Sequence, residues 1–140
     1  MIESVLIDGC LLDEFIAQYC NGNMFVNSAP EGTTTPYIVI DAGDEFDETG
    51  AISAFDVTVN IYDVAEDKRP QRQASKKIID ALNYDMFCGD GYTKIRLYFR
   101  NRVTIREPES TLTRVMIQFD ARACNDDIIE DRLKTLFENT

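Results

Sequence analysis

Three stretches of the chain alternate apolar and polar residues with a period of two, and this pattern constrains the fold most. The apolar positions are Phe55, Val57, Val59 and Ile61, then Ile95, Leu97 and Phe99, then Val115, Ile117, Phe119 and Ala121. Successive side chains of a strand point to opposite faces, so each stretch predicts a strand with one covered and one wetter face. Strands of this kind are typical of an antiparallel sheet.

Two further segments add to the sheet. The short apolar run at residues 37–40, Tyr-Ile-Val-Ile, is of strand type. Val103 and Ile105 either continue the strand that holds Phe99 or form a separate strand after a bulge near Asn101. The preceding segment at residues 88–91, Cys-Gly-Asp-Gly, is interpreted as a turn.

Helical spacing marks the segments between the strands. Residues 2–19 predict a helix that ends near the Asn-Gly-Asn of residues 21–23, which tolerate positive φ. Its apolar stripe is Val5, Leu12, Phe15, Ile16 and Tyr19. A second helix is predicted over residues 70–82, with Pro70 in its first turn. Its buried stripe is Ala74, Ile78, Ala81 and Leu82.

The predicted order is therefore α, β, β, α, β, β, α, with a short last helix over residues 126–137 whose first acids suit its N-terminal end. This order predicts an α+β fold, an antiparallel β-sheet of about four strands with helices packed on one face. A length of 140 residues fits one domain. We predict a single domain over residues 1–140: an N-terminal helix at 1–22, a sheet with one inserted helix at 37–123, and the C-terminal helix at 126–137.

The charge is distributed unevenly along an acidic chain of net charge −11. Residues 1–67 contain fourteen acids and no lysine or arginine, whereas residues 68–122 contain twelve basic residues and six acids. This balance argues against tight binding to nucleic acid, whose phosphates need a basic surface. It permits a molecule with one acidic and one basic flank, although most charged side chains of a globular protein simply solvate its surface.

Several function classes are disfavoured by what the sequence lacks. There is no histidine, which removes the usual general base and the commonest metal ligand. We predict no enzymatic activity, no catalytic residues, no cofactor and no metal site. No apolar run approaches the ~20 residues that cross a bilayer, and the first residues are acidic where a signal peptide would be basic. The sequence therefore predicts a protein of the cytoplasm.

The four cysteines show no close pairing such as Cys-x-x-Cys. For a protein without an export signal, Cys10, Cys20, Cys88 and Cys124 are interpreted as reduced thiols that pack as small hydrophobes. A disulfide between two of them stays open at this point, because pairing depends on geometry that a sequence does not give.

The acidic segment at residues 44–48 is one candidate site, with Asp44, Glu45, Asp47 and Glu48 as its acids. Read from Glu45, its spacing partly matches a calcium loop, but it lacks the first Asp and the last bidentate Glu and is flanked by strands. We interpret it as a solvated hairpin tip. A weak divalent cation held between carboxylates of neighbouring subunits remains an alternative.

The basic residues of the late strands form the second candidate. They are Lys94, Arg96, Arg100, Arg102, Arg106, Arg114 and Arg122. Alternation would put several of them on the side opposite the core. They then form either a soluble, protected sheet face or a docking surface for an acidic partner, such as the acidic flank of an identical subunit. As interface residues we choose Arg100, Arg102, Arg106 and Arg114.

The order of these features resembles the tail-completion proteins of long-tailed phages, also called tail terminators or head–tail joining proteins. The resemblance is carried by the Thr-Pro-Tyr-Ile-Val-Ile strand of residues 35–40, the Val-Asn-Ile-Tyr of residues 59–62, the Ile-Ile-Asp-Ala-Leu of residues 78–82 and the Arg-Val-Met-Ile-Gln-Phe of residues 114–119. It spans residues 12–123, and two features depart from it: Tyr62 stands where relatives often have tryptophan, and the last acidic helix is not part of the pattern.

The resemblance implies a subunit that assembles as a ring, typically a hexamer, on the end of the tail tube. Its partners would be itself, the tail tube protein and the head connector proteins, first in the host cytoplasm and then in the virion. An acidic lumen would suit a conduit for DNA, because it repels phosphate. We therefore expect residues 44–48 to face the lumen or the basic strand of an adjacent subunit. The alternatives are a head–tail adaptor on the capsid side and a host-encoded, non-enzymatic protein-binding adaptor or regulatory domain.

Overall fold

The computed structural model describes residues 2–43, 46–47, 52–83, 86–89, 92–106 and 111–125. Its helices are α1 (Ile2–Leu11), α2 (Glu14–Tyr19) and α3 (Arg69–Leu82). Its strands are β1 (Met24–Val26), β2 (Tyr37–Ala42), β3 (Phe46–Asp47), β4 (Ile52–Asp63), β5 (Met86–Gly89), β6 (Tyr92–Arg106) and β7 (Thr113–Asn125). The helix predicted over residues 126–137 lies outside the described residues. Within them, no helix is long and apolar enough to span a membrane.

The described strands form one sheet in the order β1-β2-β4-β7-β6-β5, with β3 paired beside β4. β1 runs parallel to β2, and the other strand pairs are antiparallel. The predicted α+β class is therefore confirmed, but the sheet is mixed and has more than about four strands. β1, β3 and β5 were missed because three, two and four residues are too few to show a period.

The covered face of the sheet follows from the cross-strand register. Ile38 lies opposite Ile61, which lies opposite Val115. Ile40, Val59 and Ile117 form the next row, and all six side chains belong to one core with the buried residues of the helices. Directly opposed residues share a face, so the alternation read from the sequence gives the side of the sheet on which the helices lie.

The single N-terminal helix predicted over residues 2–19 is wrong, because the helix breaks at Leu12 and Asp13. Asp13 caps α2: its Oδ1 accepts hydrogen bonds from the backbone N–H groups of Phe15, at 2.9 Å, and Ile16, at 3.1 Å. A side chain that satisfies these N–H groups starts a new helix there. Leu12, placed in the predicted stripe, is 86% exposed, whereas Leu6 and Cys10 are buried.

The predicted end of that helical region is confirmed. Asn21 and Gly22 have φ values of 52° and 74°, and the Gly22 N–H donates to the carbonyl of Ala17 at 3.0 Å. Cys10 and Cys20, on either side of the break, are buried free thiols, as predicted. Burial raises the pKa of Cys10 to about 12 and also raises the pKa of Cys20. Cys124 is free and half-buried.

α3 lies on the sheet as predicted, with Ala74, Ile78 and Leu82 fully buried. The sequence missed Gln71, which is buried one turn earlier. Its Nε2 donates to the carbonyl of Ile61 in β4 at 3.1 Å and to that of Thr113 in β7 at 3.0 Å. A polar side chain is buried without penalty when it is hydrogen-bonded, so Gln71 fastens the start of α3 to two strands at once.

The predicted turn at residues 88–91 is wrong at its first half, since Cys88 and Gly89 belong to β5. This strand pairs with β6 and brings Phe87 against α1. A Cβ at Gly9 would lie 2.8 Å from Cε1 of Phe87. The glycine that weakens the helical pattern of residues 2–19 is thus the place where the Phe87 ring approaches the helix.

Candidate subunit interface

The acidic first part of the sequence and the more basic second part form different halves of the sheet. β1 to β4, all from residues 24–63, lie together on one side, and β5 to β7 lie on the other. We call these the acid half and the basic half. Their junction is the pairing of β4 with β7, from Ile52 opposite Cys124 to Asp63 opposite Thr113.

The acidic candidate site is only partly described. Asp44, Glu45 and Glu48 lie outside the described residues. Asp47 lies in β3 opposite Ser53, at the outer side of the acid half, and its side chain is also outside what the structure describes. The described residues contain no group of three or more Cys, Asp or Glu side chains that could hold a metal ion. The expectation that this segment faces a lumen or a basic strand stays a prediction.

The basic candidate site is divided by a bulge in β6. Val103 and Ile105 continue β6, so the alternative of a separate strand is wrong, although the register does shift between Phe99 and Asn101, near the bulge which that alternative assumed. Beyond this shift Arg102 lies opposite Ile117 and Arg106 opposite Thr113. Both arginines therefore lie on the helix side of the sheet, because one extra residue inverts the faces. The prediction that several of the basic residues lie opposite the core is confirmed for Arg96, Arg100 and Arg114, and it fails for Arg102 and Arg106.

Arg100, at the bulge, turns to the open face and crosses the junction of the two halves. Its Nη1 lies 3.1 Å from Oδ1 of Asp120 in β7 and 3.6 Å from Oδ1 of Asp56 in β4. All three side chains are exposed by about two fifths or more, so the contacts contribute little to stability. They fix the direction of the guanidinium group.

Arg114 also lies on the open face, in the row between Tyr62 and Ile105. It is half-buried, and its Nε has no hydrogen-bond partner among the described residues. Arg96, on the same face, has an equally buried Nε that bonds to nothing in the described part of the chain. The four arginines chosen from the sequence thus occupy two faces, with Arg100 and Arg114 on one and Arg102 and Arg106 on the other.

A basic cavity lies on the helix side, between the start of α3 and the end of the basic half. Its volume is about 460 Å³. It is lined by Lys68, Gln71, Arg72, Thr104, Arg106, Thr113 and Val115. Asp67, the acid next to Lys68, is bound by Arg69, whose hydrogen bonds lower the pKa of Asp67 to about 2. The described residues that line the cavity include no acid.

Sequence reasoning missed this cavity because its cations come from separate segments. Lys68 and Arg72 belong to the helical region and Arg106 to a strand, and only the bulge brings Arg106 to the helix side. A second cavity of about 350 Å³ lies over the open face of the acid half. It is formed by residues 27–33 together with Tyr37, Val39, Asp41 and Tyr62.

Comparisons with known proteins agree with this architecture. A family model described as tail completion protein gp17 matches residues 6–123. A chain of the virion of a native gene transfer agent particle has a TM-score of 0.69 and 19% identity, over 88% of this chain and 94% of that chain. A second solved chain has a TM-score of 0.58 and 9% identity, over 88% and 96% respectively. No curated protein matches by sequence. The likeness to the two solved chains is one of fold.

Proposed function

The chain belongs to the tail completion protein gp17 family, and from that premise we propose that it closes the end of a phage or prophage tail tube as an oligomeric ring. The resemblance read from the sequence is confirmed, and the protein is a phage structural protein. The family match over residues 6–123 is the observation that carries the proposal, because it spans the described sheet and helices except for the first four residues of α1 and the last two of β7.

The proposed ring, typically a hexamer, meets the tail tube protein on one side and the head connector proteins on the other. The subunit is made in the host cytoplasm and ends in the virion, at the tail or neck. The solved relative from a gene transfer agent virion supports this place, since it shares the fold over 88% of the chain. The function is structural and non-enzymatic, and an adaptor position on the capsid side is the rival within the same particle.

The two charged halves of the sheet support assembly by contact between unlike surfaces. When different patches of two identical subunits meet, the contact is heterologous, and it closes into a ring if the rotation permits. Complementary charge fixes register and speeds encounter more than it adds affinity. The acid half of one subunit and the basic half of the next provide such a pair.

Deletion of the gene from a particle-producing host tests the role. We expect heads and tails that fail to join, with tubes of abnormal length in electron micrographs, and recovery when the gene is supplied in trans. Tails of normal length that lack heads would instead favour the capsid-side adaptor. Normal joined particles would overturn the proposal.

Charge reversal tests the surface, with one pair of arginines for each face. We expect one of two double variants, Arg100→Glu with Arg114→Glu or Arg102→Glu with Arg106→Glu, to reduce the oligomer mass measured by light scattering at low salt. The other pair is its matched control, because it changes the net charge equally. Circular dichroism confirms that each variant is folded. An unchanged oligomer mass in both variants would count against a charged contact.

A further inference from the structure

No described strand covers the outer side of β6 over its last seven residues, 100–106. β5 pairs with β6 only as far as Met86 opposite Arg96. Asn83 then bridges to Leu97, and its Oδ1 accepts the N–H of Phe99 at 2.8 Å. Within the described residues, residues 100–106 have β7 as their sole strand partner, on the inner side.

This edge is not guarded in the usual way. Natural proteins protect edge strands with charged side chains that discourage another strand. Here Arg100 is held against Asp120 on the open face, and Arg102 donates from Nη1 to Oγ of Ser75 on the helix side at 2.9 Å. Both guanidinium groups lie over the faces of their own sheet, and Val103 between them is 43% exposed. The backbone of the edge is thereby left open to an added strand.

The basic cavity lies beside this edge, because Thr104 and Arg106 line it and also belong to the uncovered segment. In a strand added outside β6, alternate side chains would point to the helix side, towards Lys68, Arg72 and Arg106. Acidic side chains at those positions would be complementary to the cavity. Strand addition recognises a peptide in this way: the sheet edge provides backbone hydrogen bonds, and an adjacent pocket binds every second side chain of the peptide.

We propose that residues 100–106 and the adjoining basic cavity bind β3 of a second copy of this chain by strand addition. This rests on the proposed ring. β3 pairs only with β4 among the described strands, so its outer side is also an edge. In the sequence it reads Asp-Glu-Phe-Asp-Glu over residues 44–48, four acids around one aromatic residue. The two terminal strands of the described sheet, β1 and β5, contain no acid.

Cross-linking from the edge tests the contact in the assembled protein. p-Benzoylphenylalanine is placed at Val103, and at Val64 as the control, since both side chains are 43% exposed. After irradiation of rings, isolated free or on purified tail tubes, we expect a cross-linked dimer from position 103 whose joined peptide contains Phe46. Position 64 should give no such product.

Each other outcome overturns a different claim. Rings whose cross-links from position 103 reach another part of a second copy, or only a tube protein, would overturn the strand contact and leave the ring standing. Absence of an oligomer, both free and on tubes, would overturn the ring and this contact together.

Proline substitution provides a second readout that depends on the backbone. Neighbouring N–H groups of a strand point to opposite sides, so Val103→Pro and Thr104→Pro remove one N–H from the outer edge and one from the ladder with β7. The variant that lacks the outer N–H should keep its melting temperature. It should assemble about tenfold more weakly, because the contact between subunits loses one hydrogen bond. Full assembly of that folded variant would overturn the strand addition.

Discussion

The acid half and the basic half of the sheet share one core but present different edges. Each half supplies alternating apolar residues to the same layer, as in the row of Ile40, Val59 and Ile117. Among the described strands, the acid half ends in the short strands β1 and β3, whereas the basic half ends in β5 and, beyond it, in the uncovered residues 100–106 of β6. The alternation of apolar residues therefore determines which face of the sheet is buried. The surface charge and the unpaired edge strands determine which partners the sheet can bind.

The largest effect should come from breaking the junction that both halves share. Phe119 is fully buried, lies opposite Val57 of the acid half and packs its ring 6.1 Å from that of Phe99. We expect Phe119→Ala to lower the free energy of unfolding by about 3–5 kcal/mol, because it leaves a cavity. Urea unfolding measures it.

Val103→Ala is the matched control for that substitution, since Val103 lies on the exposed edge. It should change the free energy of unfolding by no more than about 0.5 kcal/mol. Similar losses for both variants would mean that the junction is not the centre of the core.

A smaller effect should follow from removing the hydrogen bonds that join the halves. Gln71→Ala leaves the Ile61 and Thr113 carbonyls without their donor, one in each half, and should cost about 1–3 kcal/mol in urea unfolding. Gln73→Ala, on the exposed side of the same helix, should cost less than about 0.5 kcal/mol. Equal costs would show that the loss reflects helix propensity and not the link between the halves.

The smallest effect concerns a contact between α2 and the acid half, which does not involve the basic half. The Tyr19 hydroxyl donates to Oδ2 of Asp63 at 2.6 Å, and burial together with this bond raises the pKa of Tyr19. Burial likewise raises the pKa of Cys10 to about 12. The unfolded chain loses these protons from about pH 8.5 for cysteine and about pH 10 for tyrosine, whereas the folded chain keeps them. Stability is therefore full below those values and falls as the pH rises towards the folded pKa.

Thermal melts between pH 8 and pH 11 measure this decline. Tyr19→Phe should lower stability near neutral pH by about 1 kcal/mol and flatten the decline above pH 10. Cys10→Ala should flatten it from about pH 8.5. A wild-type melting temperature that stays constant over this range would contradict both raised pKa values.

Sequence reasoning succeeded where a pattern is long and local. The twelve residues of β4 and the thirteen of β7 repeat the alternation often enough to fix their buried faces. It failed where one residue changes the outcome. Asp13 starts a new helix by capping it, and the extra residue at Arg100 sends Arg102 and Arg106 to the helix side.

The candidate site could be predicted in composition but not in shape. The charged halves follow from the order of residues, because the strands of residues 24–63 stay together in the sheet. The basic cavity does not, since it depends on how α3 crosses β6 and β7. Gln71 shows the same limit: its burial is decided by two carbonyls that are ten and forty-two residues away.

The approach of Phe87 to Gly9 affects how much of the sheet edge is exposed to aggregation. A methyl group at residue 9 would lie 2.8 Å from Cε1 of Phe87, so the ring would have to turn or β5 would have to move outward from α1. β5 covers the first part of β6, so a displacement of β5 would extend the unpaired edge of β6 towards Tyr92. The absence of a side chain at Gly9 thus helps to keep β5 in place and limits the length of the β6 edge that other molecules can pair with.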